Sequence, residues 1–183
     1  MKTLFCVLGR TGTGKDSIVD QVCKLTGMSK VKSFTTRPQR GANDITHVFI
    51  KPNEVEKYKK DIAAYTKIGD VEYFATVQQV IDADFYIIDP KGFYDFLSRW
   101  DLTTHPMRIV TIYITVPEGM QMFMLTGRGD DKEVSKQRIL AENEQFEKFE
   151  QLQHWDYVVL NDDMYSAVVE VMNIVNKEKG SIA

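Results

Sequence analysis

The feature that most constrains this chain stands at its start. The run Leu4-Phe5-Cys6-Val7-Leu8 leads directly into Gly9-Arg10-Thr11-Gly12-Thr13-Gly14-Lys15-Asp16-Ser17, and apolar residues then recur at Ile18, Val19, Val22 and Leu25. A continuous apolar run of this length reads as a strand buried on both faces, as in a parallel sheet. The spacing that follows reads as an amphipathic helix. Between them lies G-x-x-x-x-G-K, a phosphate-binding loop in the structural context that such a loop requires. Its glycines let successive N–H groups turn toward phosphate oxygens, the helix N-terminus adds a favourable dipole, and Lys15 reaches the β- and γ-phosphates. Arg10, Thr11, Gly12, Thr13, Gly14, Lys15, Asp16 and Ser17 are therefore the candidate ATP-binding residues. Asp16 occupies the position where most such loops carry the Ser or Thr that ligates Mg²⁺. Two readings stay open: a hard oxygen ligand for Mg²⁺, with Ser17 partly substituting, or a cap on the start of the helix.

The rest of the chain continues the alternation of strand and helix. Phe85-Tyr86-Ile87-Ile88, residues 109–116 and Tyr157-Val158-Val159-Leu160 read as further buried strands. The polar stretch 131–154 reads as a long helix, and Met164, Ala167, Val168, Val171, Met172 and Val175 mark an amphipathic closing helix. This pattern predicts an α/β domain with a parallel sheet flanked by helices. Residues 35–76 break the rhythm with strand-like pieces at 48–50, 63–65 and 71–73 and a helix near 54–60, so a small α+β insertion is expected there.

Composition narrows the function classes. At 183 residues the chain is sized for one domain, and 23 Lys and Arg against 26 Asp and Glu leave a formal charge of −3. That balance excludes a generally basic nucleic-acid coat, and no apolar run approaches the ~20 residues of a membrane span. Cys6 and Cys23 cannot make a disulfide framework or a four-ligand zinc site, which points to a reduced cytoplasmic setting. His105 and His154 show no metal-site spacing, and the Met120-Gln121-Met122-Phe123-Met124 cluster reads as core filler.

A second motif, Ser33-Phe34-Thr35-Thr36-Arg37-Pro38-Gln39-Arg40-Gly41, follows a short strand-like piece. Two arginines three apart offer planar, permanently charged forks for phosphate oxygens. Here the chain resembles the guanylate kinase family of P-loop nucleoside monophosphate kinases, whose signature is S-x-T-T-R-x-x-R-x-G. The resemblance extends through Tyr73-Phe74-Ala75-Thr76, Ile87-Ile88-Asp89-Pro90-Lys91-Gly92, Gly127-Arg128-Gly129 with Arg138 downstream, and Asn161-Asp162-Asp163 after the last strand. It implies a P-loop NTPase-type fold with a core of residues 1–34, 77–122 and 154–183, an acceptor-binding insertion at about 35–76 and a helical lid at about 123–153. It also implies phosphoryl transfer from ATP with Mg²⁺ to a nucleoside monophosphate, GMP or dGMP foremost. Ser33, Arg37, Arg40, Tyr73 and Asp89 would hold the acceptor; Lys15, Arg37, Arg128 and Arg138 would act in catalysis, with Arg128 also touching ATP. Small nucleotides would be the only partners, with no membrane or nucleic-acid polymer, in a monomer or homodimer.

Several positions depart from the family pattern. Ile87 stands at the first carboxylate of D-x-D, and Ala64, nine positions before Tyr73, at the base-recognising glutamate. His47 falls at a tyrosine, Phe74 at a glycine and Met124 at the arginine preceding the lid's G-R-G. Phosphate-gripping residues are kept while base-reading ones change, which predicts shifted or relaxed base choice, toward deoxynucleotides, as an alternative to strict guanine specificity. Loss of a carboxylate at Ile87 and gain of one at Asp16 also suggests that the acidic contribution to the Mg²⁺ shell has moved. Two other readings remain: a non-catalytic guanylate-kinase-like module binding phosphorylated protein, and an ATPase acting on another phosphorylated acceptor.

Overall fold

In the computed structural model, the residues described are 1–39, 41, 44–127, 129 and 131–180. Strand β1, Lys2–Leu8, runs through the middle of a four-stranded sheet. Its neighbours are β6, Phe85–Ile87, on one side and β7, Met107–Thr115, on the other, with β8, Tyr157–Leu160, beyond β7; every pairing is parallel. Because side chains alternate along a strand, β1 feeds two separate cores. Phe5 and Val7 pack with Ile18, Val19 and Val22 of α1, Lys15–Thr26, and with Ala167, Val171 and Ile174 of α6, Met164–Gly180. Leu4, Cys6 and Leu8 face the opposite layer, with Phe93 and Phe96 of α3, Pro90–Arg99, and Phe146 and Phe149 of α5, Lys132–Leu152. Covering both faces is what a parallel sheet requires, and it explains why β1 carries no exposed polar alternation.

The order β6-β1-β7 means that the chain crosses from one side of β1 to the other between its second and third strands in this sheet. Such a reversal leaves a crevice beyond the carboxyl end of the central strand, where open α/β sheets bind ligands. The glycine-rich loop emerges into that crevice.

The stretch 35–76 contributes most of a second sheet, ordered β3-β2-β5-β4. Its strands are β2, Phe34–Thr35, β3, Val48–Phe49, β4, Ile62–Ile68, and β5, Val71–Thr76. The helix expected near 54–60 is a 3-10 helix, Pro52–Tyr58, with no buried residue. The proline sits in its first turn, and its two i,i+3 ion pairs, Lys57 with Glu54 and Lys59 with Glu56, suit the three-residue turn. Two helices not foreseen from sequence are short, α2, Val77–Asp82, and α3; a Thr76–Gln79 capping box starts the first and an Asp89 cap the second.

One expectation is corrected. The Met120–Met124 cluster opens α4, Met120–Gly127, but only Leu125 of that helix is buried and Phe123 is 70% exposed. The methionines are only partly covered, and the core that they were expected to fill is filled by aromatic rings from α3 and α5. Phe149 is central to it, with ring neighbours Phe93, Tyr94, Tyr113 and Trp155. Replacing Phe149 by alanine removes a fully buried apolar anchor between α5 and the sheet, so chemical unfolding is expected to show a loss of about 3–5 kcal/mol without a change in the slope of the transition.

Candidate active site

The loop's geometry begins with Gly14. It takes a left-handed conformation, φ 78°, and forms the N-cap of α1 with no side chain capping the helix. A Cβ there would lie 2.5 Å from Asn161 Nδ2, so the position excludes any larger residue on both conformational and steric grounds. Asn161 enters from the end of β8, and its amide donates to the Thr13 carbonyl at 2.8 Å. The sequence motif drew attention to Asn161 without a role; the structure makes it a buried brace for the loop. Asp16 lies in the first turn of α1 without capping it, which removes the capping alternative for that residue. The first-turn amides of α1 are thus left without a side-chain acceptor from a capping residue, the arrangement that receives anions at helix N-termini.

The carbonyl of Arg10 organises the middle of the loop. It accepts from Thr13 N at 3.3 Å, Thr13 Oγ1 at 2.9 Å and Lys15 Nζ at 3.4 Å. Arg10 and Thr13 were both expected at the nucleotide through the loop motif, but their side chains turn elsewhere. The Thr13 hydroxyl folds back onto the loop. The Arg10 guanidinium forks onto Glu150 of α5, with Nε and Nη2 each 2.8 Å from a carboxylate oxygen, and Nη1 donates to Asn143 Oδ1 at 2.7 Å. It also lies 5.5 Å from the Phe146 ring centroid. Hydrogen bonding to Arg10 holds the Glu150 carboxyl below its ordinary range, and the same bond raises Arg10. The Tyr113 hydroxyl donates to the same carboxylate, so β7, α5 and the loop meet at Glu150.

Thr11 is held from two further directions. Its N–H donates to Glu142 Oε1 of α5 at 2.6 Å, and its carbonyl accepts from Gln121 Nε2 of α4 at 2.6 Å. Nothing in the sequence reading singled out Glu142 or Glu150, and Gln121 entered only as part of the cluster read as core filler. The sole local signal is that Glu142 follows Arg138 at i+4 and so shares a helix face with it.

A cleft of 710 Å³ opens between the loop, the second sheet and α5, and a smaller cavity of 270 Å³ adjoins it toward α3. Lys15, Asp16, His47, Tyr73, Asp89 and Glu142 line both. Ser17, Arg37 and Arg138 face the larger space and Ser33 the smaller. Motifs far apart in the chain are therefore brought to one cleft. Arg40 and Arg128, the remaining expected arginines, lie outside the described residues.

The second sheet presets its part of the cleft. Arg37 Nη1 binds Asp44 Oδ2 at 2.8 Å, and its guanidinium lies 5.0 Å from the Phe49 ring centroid. His47 sits edge-on to Tyr73, with ring centroids 5.6 Å apart, and its Nδ1 lies 2.7 Å from the Thr46 carbonyl. Burial lowers the His47 pKa and Arg37 reinforces this, while the bond to Thr46 and the charges of Asp16 and Asp44 oppose it. Asp89 caps α3 by accepting from Gly92 N at 3.0 Å and takes a further bond from Thr66 Oγ1 at 3.4 Å. Burial raises its carboxyl above the ordinary range. Ala64 is 1% exposed on the wall of the smaller cavity and brings no polar side chain to it.

No protein-family model matches the chain. It is similar to the guanylate kinase of Colwellia psychrerythraea, 27% identical over an alignment of 190 positions that covers 96% of this chain and 85% of that protein. The guanylate kinase of Neisseria gonorrhoeae is likewise 27% identical, over 94% of this chain and 86% of its own length. Among solved structures, the guanylate kinase of Anaplasma phagocytophilum superposes with a TM-score of 0.68 at 19% identity, covering 97% of this chain and 86% of that one.

The Arg10–Glu150 pair is expected to carry coupling of about 1 kcal/mol, since the fork is bidentate but partly open to water. A double-mutant cycle with Arg10→Met and Glu150→Gln, read by chemical unfolding, measures it.

Proposed function

We propose that this chain, a divergent member of the guanylate kinase family, transfers the γ-phosphoryl group of ATP to a nucleoside monophosphate, with GMP and dGMP as the foremost acceptors. The observation that carries this is the convergence of the uncapped α1 start and Lys15 with Arg37, Tyr73 and Arg138 around one cleft. Phosphoryl transfer needs alignment and neutralisation of charge rather than a covalent intermediate, and these residue types supply both. Lys15 and the loop amides would hold the donor phosphates. Ser33, Arg37, Arg40 and Tyr73 would hold the acceptor, and Arg138 of α5 together with Arg128 would act on the donor from the segment assigned as lid. The preserved loop lysine and the arginines on that segment favour an enzyme over a non-catalytic phosphopeptide-binding module. Free Cys6 and Cys23 fit a cytoplasmic setting.

Mg²⁺ fits the donor side. Asp16 lines both cavities, and Ser17, beside it on the first turn of α1, lines the larger one; the two offer hard oxygen donors of the kind Mg²⁺ takes. When bound with ATP the ion supplies charge neutralisation at the phosphates. Asp16→Ser is expected to lower turnover and to shift the Mg²⁺ dependence of the rate to higher concentration. An unchanged metal titration in that variant would remove Asp16 from the metal's surroundings.

A second reading concerns the base, and the state of the acceptor wall favours it. Guanine presents N1–H and N2–H₂ donors; Asp89 Oδ1 serves the α3 cap and Thr66, which leaves Oδ2 as one acceptor, while Ala64 brings none. A pocket that leaves part of the base edge unmatched discriminates between bases by about 10²-fold, whereas a fully hydrogen-bonded one reaches 10⁴ or more. ADP release with GMP, dGMP, dAMP, dCMP and dTMP tests both readings. Turnover dependent on a monophosphate, with GMP and dGMP ahead of the others by about 10²-fold, is the expected result. ADP release independent of every monophosphate would reject the kinase reading, and guanine acceptors alone would reject relaxed choice.

A further inference from the structure

The phosphate loop already carries a carboxylate. Glu142 reaches from the middle of α5 into the cleft, and its Oε1 accepts the Thr11 N–H at 2.6 Å. This is a charge-assisted bond of the kind a phosphate oxygen makes with loop amides. The groups that act on Glu142 are Lys15 from α1, Arg10 and the Thr11 amide from the loop, and Asp89 from the start of α3. Lys15, Arg10 and the amide favour the carboxylate, whereas burial and Asp89 oppose it, with burial the largest influence. Gln121 holds the carbonyl of the same residue, so both backbone polar groups of Thr11 are occupied by side chains of α4 and α5.

A triphosphate brings several negative charges to the loop that this carboxylate touches. A fixed anion on a loop amide cannot coexist with them in a space of low dielectric without strong repulsion. Asn143, next to Glu142 in sequence, and Glu150, about two turns further along α5, also tie the helix to the loop, but both bind the Arg10 guanidinium, so the Glu150 charge is matched by a cation and the contact at Glu142 is the one that the donor's charge opposes. We propose that Glu142 is a resident competitor of the donor phosphates, a side chain that sets donor affinity by occupying the phosphate loop until the nucleotide displaces it. The proposal rests on the reading of the loop as the ATP site. Displacement breaks only hydrogen bonds, and α5 keeps its aromatic underside on the sheet while Glu142 moves aside.

Calorimetric titration of ATP with Mg²⁺ into the wild type, Glu142→Gln and Glu142→Ala tests it. Glutamine keeps an acceptor for Thr11 N–H and removes the charge; alanine removes both. Both variants are expected to bind ATP about tenfold more tightly, the scale of one charge-assisted hydrogen bond. The Thr11 amide, followed by hydrogen exchange without nucleotide, is expected to lose protection in Glu142→Ala and to keep most of it in Glu142→Gln. Unchanged or weaker ATP binding in both variants, or a Thr11 amide equally protected in all three proteins, overturns the proposal while leaving the ATP site standing. A wild type that binds no ATP overturns the site and the competitor together.

Discussion

The structure turns on the uncapped start of α1. A helix that begins at a left-handed glycine, with no side chain folded over its first turn, leaves N–H groups facing outward that must find an acceptor somewhere. Everything nearby serves to keep that opening in place. The β6-β1-β7 order puts it in the crevice at the end of the central strand, and Asn161 braces the peptide just before it. The Arg10 carbonyl gathers Thr13 and Lys15 on its inner side. Any side chain at position 14 would strike Asn161, so the backbone conformation and the brace depend on each other.

The helix that closes over this opening is held by two kinds of contact with different strengths. Beneath it, Phe146 and Phe149 are buried against Tyr113, Phe93 and Trp155. Each such ring contributes several kcal/mol by burial, enough to fix where the helix lies. Above it, the bonds from Asn143, Glu142 and Glu150 to the loop are partly open to water and contribute about 1 kcal/mol each. The strong contacts therefore set the position of α5, and the weak ones set what occupies the loop. A ligand of high charge can rearrange the second kind without disturbing the first.

The sequence made the sheet legible because β1 and its companions are continuously apolar, and the loop legible because G-x-x-x-x-G-K needs a strand before it and a helix after it. It was less informative where structure depends on partners. The 3-10 helix at 52–58 carries ordinary helix formers and owes its tight turn to its opening proline and to ion pairs at i,i+3. The methionines of α4 have the composition of core residues, yet the space they would fill is taken by rings from helices elsewhere in the chain. Arg10 was expected at the nucleotide because of its place in the loop; its side-chain partner, Glu150, is 140 residues away and carries no local mark. Glu142 was hidden for the same reason, as one acidic residue in a helix rich in them.

That long-range pairing changes what the basic residues of the cleft mean. A formal charge of −3 with a few cations gathered at one place suggests a site waiting for an anion. In the folded chain those cations already have company. Arg37 is paired with Asp44, Lys15 rests on a backbone carbonyl, and the Thr11 amide holds Glu142. A phosphate bound as proposed would exchange these partners for its own oxygens, and its affinity would be the difference between two sets of hydrogen bonds. Pre-pairing keeps the buried groups satisfied when no nucleotide is present, which an unpartnered cluster of charge could not do at the same stability. On the proposed function, substitutions at Asp44 or Glu142 would alter nucleotide affinity through the groups they release, Arg37 and the Thr11 amide.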